Sequence, residues 1–274
     1  MNFTRPPRLA HLLLVAVAVL FSFPVMWMVL SSLKSGMELS TSPFSFWPKT
    51  WRFENYSDAM TAMPYARYLT NTLLLCLGTV CGTVVSSAVV AYGLARIQWP
   101  GRSICFALII GTMLLPWHVT MIPRFLLLRE LGLYDSLAAI VLPTFLGDAF
   151  FIFLLRQFFL TIPEELSEAA RLDGLSEVGI FWRIILPLSR PALATVALFQ
   201  LIATWNDFGG PLLFLSDPQK FPLAYGLERF VSAYSDQTHL LLAAATLFTL
   251  PIVIVFFLTQ KLFVKGIATT GLKG

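Results

Sequence analysis

The sequence predicts an all-α membrane protein of six transmembrane helices, and three observations predict it. Apolar residues make up 57% of the 274 positions and charged residues only 12%, against roughly 25% charged in an ordinary soluble domain. The apolar residues fall in uncharged runs at 9–33, 68–95, 103–123 and 237–260, each at least as long as the ~20 residues a helix needs to cross hydrocarbon. Two further runs qualify with one acid inside each, Asp148 in the first and Asp207 in the second. The spans are expected at about 9–33, 68–95, 103–123, 136–156, 191–216 and 237–261, in a single membrane domain with a polar loop at 157–190.

The first run follows Arg5 and Arg8, as a signal peptide's would. A signal peptide's apolar core is about 7–15 residues long. This run continues through Phe23, Trp27 and Leu30 without a small-residue cleavage site, so it reads as an uncleaved anchor. With the N-terminus inside, the inner segments hold eleven of the 19 Lys and Arg and the outer segments eight. The positive-inside rule therefore puts both termini and the 157–190 loop in the cytoplasm. The net charge of +4 reads as topology and not as a nucleic-acid patch.

Between the first two spans, Pro43, Phe44, Phe46, Trp47, Pro48 and Trp51 suit a compact cap at the outer interface, where Trp and Tyr favour the headgroup level. The second outer loop, 217–236, carries Tyr225, Phe230 and Tyr234. Gly78 and Gly82 form a GxxxG pattern in the second span, which reads as close helix packing, within this chain or against another membrane subunit. Prolines at 116, 123, 143 and 251 can kink helices or mark their ends. Cys76, Cys81 and Cys105 have no C-x-x-C spacing, and His11, His118 and His239 are too scattered for a metal site. No phosphate-loop pattern G-x-x-x-x-G-K-[ST] occurs, so no cofactor is expected on this chain.

The polar stretch PEELSEAARLDGLSEVGIFWRIILP at 163–187 holds five carboxylates. Thr161 and Glu164 have capping-box spacing, and Pro163, Glu164 and Glu165 suit a helix start. Gly174 suits its end, about three turns later. Ser176 can cap a second segment running through Ile185, with Pro187 and Pro191 marking the return to the membrane. At 100° per residue Leu166, Ala169 and Ala170 share one face, and Glu164, Glu168 and Arg171 share the other. A short helix with a shallow apolar stripe fits a groove on a soluble partner. The alternative is a helix lying on the bilayer, but such helices carry bulky apolar residues and basic polar faces, where this one has alanines and glutamates.

Here the sequence resembles a known family. Glu168-Ala169-Ala170, three residues, Gly174, nine residues, then Ile184-x-Leu186-Pro187 resembles the EAA signature of membrane subunits in binding-protein-dependent ABC importers. VLSSLK at 29–34, AYGLARIQWPGR at 91–102, FLLRQFF at 153–159, Trp205-Asn206-Asp207 and FVKGIATTGLKG at 263–274 resemble the maltose-transporter-like, carbohydrate-importing branch. The resemblance implies a type I ABC importer permease fold with a cytoplasmic coupling helix. It implies a second permease subunit of the same type, a cytoplasmic ATPase dimer that carries ATP and Mg, and an extracytoplasmic solute-binding protein. It implies a carbohydrate or polyol as cargo, moved through the bilayer without catalysis by this chain. Glu165, Leu166, Glu168, Ala169, Ala170, Asp173, Gly174, Leu186 and Pro187 would form the ATPase-coupling surface, with Glu168 meeting a basic residue of the ATPase or bracing its own helix through Arg171 at i+3.

Asp148, Trp205, Asn206 and Asp207 are the candidate substrate-pathway residues. Asp207 is expected near the outer edge in a water-facing or structural role, while Trp205 and Asn206 offer stacking and hydrogen bonds to a sugar. Asp148 is expected mid-span, facing a cavity or a partner in the bundle. An intramembrane enzyme would need converging nucleophiles, bases or metal ligands, which these residues do not supply. A stand-alone ion-coupled transporter, using Asp148 and Asp207, is the rival reading.

Overall fold

A computed structural model describes residues 8–234 and 236–270, and these form helices without strands. Arg5, Lys273 and the end of the 263–274 stretch lie outside the described residues. In chain order the helices are α1 (Arg8–Ser32), α2 (Gly36–Thr41), α3 (Glu54–Ala62), α4 (Tyr65–Ala95), α5 (Arg102–Thr112), α6 (Trp117–Glu130), α7 (Ala138–Val141), α8 (Ala149–Leu160), α9 (Glu165–Leu172), α10 (Glu177–Ile180), α11 (Leu186–Leu188), α12 (Arg190–Trp205), α13 (Gly209–Phe214), α14 (Leu223–Ala233) and α15 (Thr238–Thr270). Four stretches are long and apolar enough to cross a bilayer: Ala10–Ser31, Tyr65–Ala95, Ala138–Leu160 and Thr238–Thr259. Two bent helix pairs raise the number to six.

The bends are where the structure departs from straight expected spans. α5 and α6 meet at 99°, because Pro116 has an extended backbone at the start of α6 and proline both lacks an N–H and drives the preceding residue out of the helical region. The Glu177–Leu188 segment meets α12 at 77°, and α12 itself stops at Trp205, well short of residue 216. Between α7 and α8 a 3₁₀ turn, Leu142–Leu146, ends at Gly147, whose φ of 91° only glycine adopts without strain. Pro24 and Pro251 sit inside α1 and α15.

The described residues divide into two compact units, one from residues up to 65 together with 226–251, the other from residues 66–225 together with those from 252 on. In the first, α3 closes the end of α1. Asn55 Nδ2 donates to the carbonyls of Ser32 (2.7 Å) and Lys34 (2.9 Å), and the Arg52 N–H donates to Leu33 at 2.9 Å. Such bonds satisfy carbonyls that a helix end leaves unpaired. Ser35 accepts from the Glu38 N–H and caps α2.

In the second unit, Ala88, Ala91 and Tyr92 of α4 pack with Phe151, Leu155 and Phe159 of α8, Ile180 and Ile185 of the polar 157–190 loop, and Val196 of α12. Gly78 and Gly82 resolve the alternative left open by the GxxxG pattern, since they meet the α7 region of the same chain. A Cβ on Gly82 would lie 2.2 Å from Thr144 Oγ1, and one on Gly78 would lie 2.8 Å from Val141. Ser86 Oγ also donates to the Thr144 carbonyl at 2.9 Å. Lipid tails give no hydrophobic drive between spans, so close backbone approach of this kind supplies the attraction.

Candidate functional site

The polar 163–187 stretch folds into α9, a tight turn, and a second helical segment. α9 starts later than the capping box predicts. Thr161 ends α8 and its hydroxyl donates to the Phe158 carbonyl at 2.7 Å, while Glu164 occupies the cap position of α9 without a side-chain cap bond. The Glu164 carboxylate is drawn away by arginines. It pairs with Nη1 of Arg96 and accepts from Nη1 of Arg171 at 3.3 Å. The Arg96 side chain is only 4% exposed, and a buried guanidinium left without an anion costs more than one uncapped N–H. Arg96 Nη2 also donates to the Ile162 carbonyl at 2.6 Å.

α9 is thus eight residues long, about two turns and not three. Its end is as expected. Gly174 takes φ 83°, its N–H reaches the Arg171 carbonyl (3.0 Å), and the Leu175 N–H reaches Ala170 (2.9 Å), which is the Schellman pattern. Ser176 Oγ then accepts from the Gly179 N–H at 3.3 Å, so the second cap also stands. The second segment runs past Ile185 to Leu188, through a π turn at Phe181–Ile185 in which the Leu186 N–H bonds Phe181. Leu186 is half-buried and Pro187 exposed at its end.

The faces of α9 divide differently from the expectation. Ser167 and Ala170 point inward, and Ala170, 5% exposed, packs in the core of this unit. Glu165, Leu166, Glu168, Ala169 and Asp173 are exposed, and so is Leu172 at 90%. The apolar outer face is therefore Leu166, Ala169 and Leu172, to which the second segment adds exposed Val178 and Trp182. The brace from Glu168 to Arg171 is not formed. Arg171 Nε instead bonds Glu177 Oε1 at 2.8 Å, leaving Glu168 without an ion pair among the described residues. Arg171, and next the Tyr92 hydroxyl, hold the Glu177 carboxyl below its ordinary value.

Both ends of this network fasten to α4. Tyr92 Oη donates to Glu177 Oε2 at 2.7 Å, the Tyr92 and Phe181 rings stand 5.0 Å apart, and Arg96 holds Glu164. Tyr92 in the last turn of α4 and Arg96 just beyond its end form a latch that clamps α9 and the second segment together.

The candidate pathway residues separate. Asp148 caps α8, accepting from the Phe150 (2.9 Å) and Phe151 (3.2 Å) N–H groups; it stands at a helix break and not mid-helix. Trp205 is buried. Asn206 ends α12 and donates to the Ile202 carbonyl at 2.8 Å. The Asp207 carboxylate accepts from the Gly210 N–H at 3.0 Å and also lines a pocket of about 320 Å³ with Thr79, Arg124, Thr144, Gln200 and Thr204. Thr79 and Thr204 hydroxyls lie 2.8 Å apart, and Gln200 donates to Thr204 at 2.9 Å. Of the four candidates, only Asp207 borders this pocket.

Residues 78–269 match the family model of the binding-protein-dependent transport system inner membrane component. The chain belongs to this family. The arabinooligosaccharides transport system permease protein of Bacillus subtilis is 34% identical over 94% of this chain and 92% of that protein. The diacetylchitobiose uptake system permease protein of Streptomyces coelicolor is 31% identical over 94% and 86%. A crystal structure of a bacterial ABC transporter involved in the import of the acidic polysaccharide alginate contains a chain that superposes with a TM-score of 0.80 at 27% identity, covering 95% of this chain and 99% of that one.

The chain is a permease subunit, an integral membrane component of an ABC importer that depends on a binding protein. In this permease the sequence pattern singled out the 157–190 loop but did not mark exposed Leu172, Val178 and Trp182, although Leu172 follows Ala169 at the same i+3 step that links Leu166 to Ala169. It also missed Thr79, Arg124, Gln200 and Thr204. Thr79 and Gln200 were visible as polar residues inside apolar runs, and only the fold brings them together.

Proposed function

We propose that this permease moves a carbohydrate or related polyol across the cytoplasmic membrane, driven by ATP hydrolysis on a separate ATPase dimer that seats on the outer face of α9. The names of its relatives, permeases of oligosaccharide systems, support the substrate class. The chain acts mechanically and not as an enzyme, paired with a second permease subunit of the same type and served by an extracytoplasmic solute-binding protein. Both termini and α9 lie in the cytoplasm, on the evidence of the Lys and Arg distribution. ATP and Mg bind the partner ATPase; this chain contributes the surface that the ATPase moves.

The observation that carries the proposal is the pairing of an exposed Leu166–Ala169–Leu172 face with a charged latch behind it. An isolated eight-residue helix is marginal in water. Held by Arg96, Tyr92 and the Gly174 turn, this one is already ordered before a partner arrives, which lowers the cost of docking. Force applied to α9 passes through Glu164 and Glu177 into α4, whose Thr79 lines the pocket. Gln200 and Thr204 supply hydrogen-bonding groups there of the kind a polyhydroxylated solute requires.

The test is co-purification with the co-expressed ATPase, comparing the native chain with Ala169→Arg. The native chain should retain the ATPase and the variant lose it, and uptake of labelled oligosaccharides and sugar alcohols into vesicles should be vanadate-sensitive. Retention of the ATPase by the variant would remove α9 as the seat. Uptake stopped by an ionophore with ATP intact would restore the ion-coupled alternative.

A further inference from the structure

Two charged side chains border the pocket at the end of α12, Asp207 and Arg124, and only the first is committed elsewhere. The Asp207 carboxylate turns to its own backbone. Its Oδ1 accepts from the Gly210 N–H at 3.0 Å, and its Oδ2 lies 2.4 Å from where a Cβ on Gly210 would stand. It thereby closes the break between α12 and α13. Arg124, on α6, has no such duty. Its guanidinium makes no ion pair and no hydrogen bond among the described residues. Its Cζ stands instead 5.9 Å from the centroid of the Phe214 ring, and that ring is buried. An aromatic face steadies a guanidinium without cancelling its charge. The pocket thus holds a half-buried cation, fixed in place, with its N–H donors unused.

Such a cation is costly. A charge drawn out of water regains its solvation only from an anion with good geometry, and an ionisable residue among apolar spans marks a pathway or a partner. The planar fork of arginine matches a carboxylate, phosphate or sulfonate through paired N–H···O bonds. Beside it the same pocket presents Thr79, Thr144, Thr204 and Gln200, neutral donors and acceptors suited to hydroxyl groups. The site is concave, and its volume of about 320 Å³ falls in the range of small-molecule sites. That shape points to a solute, and not to a flat subunit face, as the source of the anion.

We propose that Arg124 makes this pocket selective for an anionic saccharide, one that carries a carboxylate, phosphate or sulfonate among its hydroxyls. The inference rests on the reading of the pocket as part of the transport path, and it narrows the cargo from carbohydrates and polyols at large to acidic ones.

The experiment reads the charge of the pocket directly. Ala203, exposed on the pocket wall, is changed by Ala203→Cys in a chain whose Cys76, Cys81 and Cys105 are replaced by alanine, assembled with its co-purifying subunits in nanodiscs. Anionic sulfonatoethyl, cationic trimethylammonioethyl and neutral hydroxyethyl methanethiosulfonates are applied, each rate divided by that reagent's rate with a free thiol. The anionic reagent should react several-fold faster than the cationic one, Arg124→Gln should abolish the preference, and Arg124→Lys should keep it. The neutral reagent shows whether each variant retains an open pocket. Equal rates for the charged reagents, or a faster cationic one, with the neutral reagent still reacting, would overturn the inference and leave the transport path standing. A preference that survives Arg124→Gln would overturn it as well. No reaction of the neutral reagent with the native pocket would remove the pocket from the path, and the inference with it.

Discussion

The 157–190 loop and the pocket end of α12 each hold a cluster of polar residues, yet they use them in opposite ways. In the loop, charges reach across long stretches of chain: Glu164 meets Arg96, and Glu177 meets Tyr92. At the pocket end, polar groups mostly serve their own backbone. Asp148 caps α8, Asn206 bonds Ile202 one turn back, and Asp207 takes the N–H of Gly210. The difference follows from what competes for each polar group. A buried arginine claims Glu164, whereas free N–H groups at a helix break claim Asp148 and Asp207. An acid at membrane depth is therefore evidence for a broken helix before it is evidence for a transported ion.

Ala170→Leu forces three heavy atoms into a packed core, at a cost of about 1–3 kcal/mol, whereas Ala169→Leu adds them to an exposed face. A thiol-reactive dye reading the exposure of buried Cys76 should show a lowered Tm for the first and an unchanged Tm for the second. Equal Tm values would mean that the inner and outer faces of α9 are misassigned.

A smaller effect is expected at Asp148. Asp148→Ala should lower stability by about 1 kcal/mol through loss of the cap, and Asp148→Asn, a cap of equal quality, should restore Tm and leave uptake intact. A carboxylate needed for proton coupling would instead fail as Asn. The smallest effect belongs to Thr79→Val, which removes one hydroxyl contact between α4 and α12, worth about 0.6 kcal/mol inside a membrane. Its Tm should barely move, and a large drop would make the Thr79–Thr204–Gln200 group a structural element in place of a pocket lining.

The sequence disclosed what local chemistry dictates. Long apolar runs marked the spans, Gly174 marked a left-handed turn, and Ser176 marked a cap, because each depends on residues only a few positions apart. It disclosed less where distant groups compete. Thr161 and Glu164 have the spacing of a capping box, but the buried arginine that claims Glu164 comes from the end of α4, 68 residues away. Nothing in the periodicity of α9 tells Ala170 from Ala169, since both lie on its apolar side until the position of Phe159 and Ile180 decides which is covered. The 99° bend at Pro116 shows a similar limit, because proline permits a kink without fixing its angle.

The central claim is that the latch carries motion from α9 into α4. Tyr92→Phe combined with Glu164→Gln keeps both side-chain shapes and removes the phenol bond and the charge pair, leaving the exposed face of α9 intact. Hydrogen exchange on the ATPase-bound complex, nucleotide-free and vanadate-trapped, would read the transmission directly. In the native chain trapping should change protection both in α9 and in the last turns of α4, and in the variant the ATPase should stay bound while the change is confined to residues 164–177. An α4 response in the variant equal to the native one would contradict it.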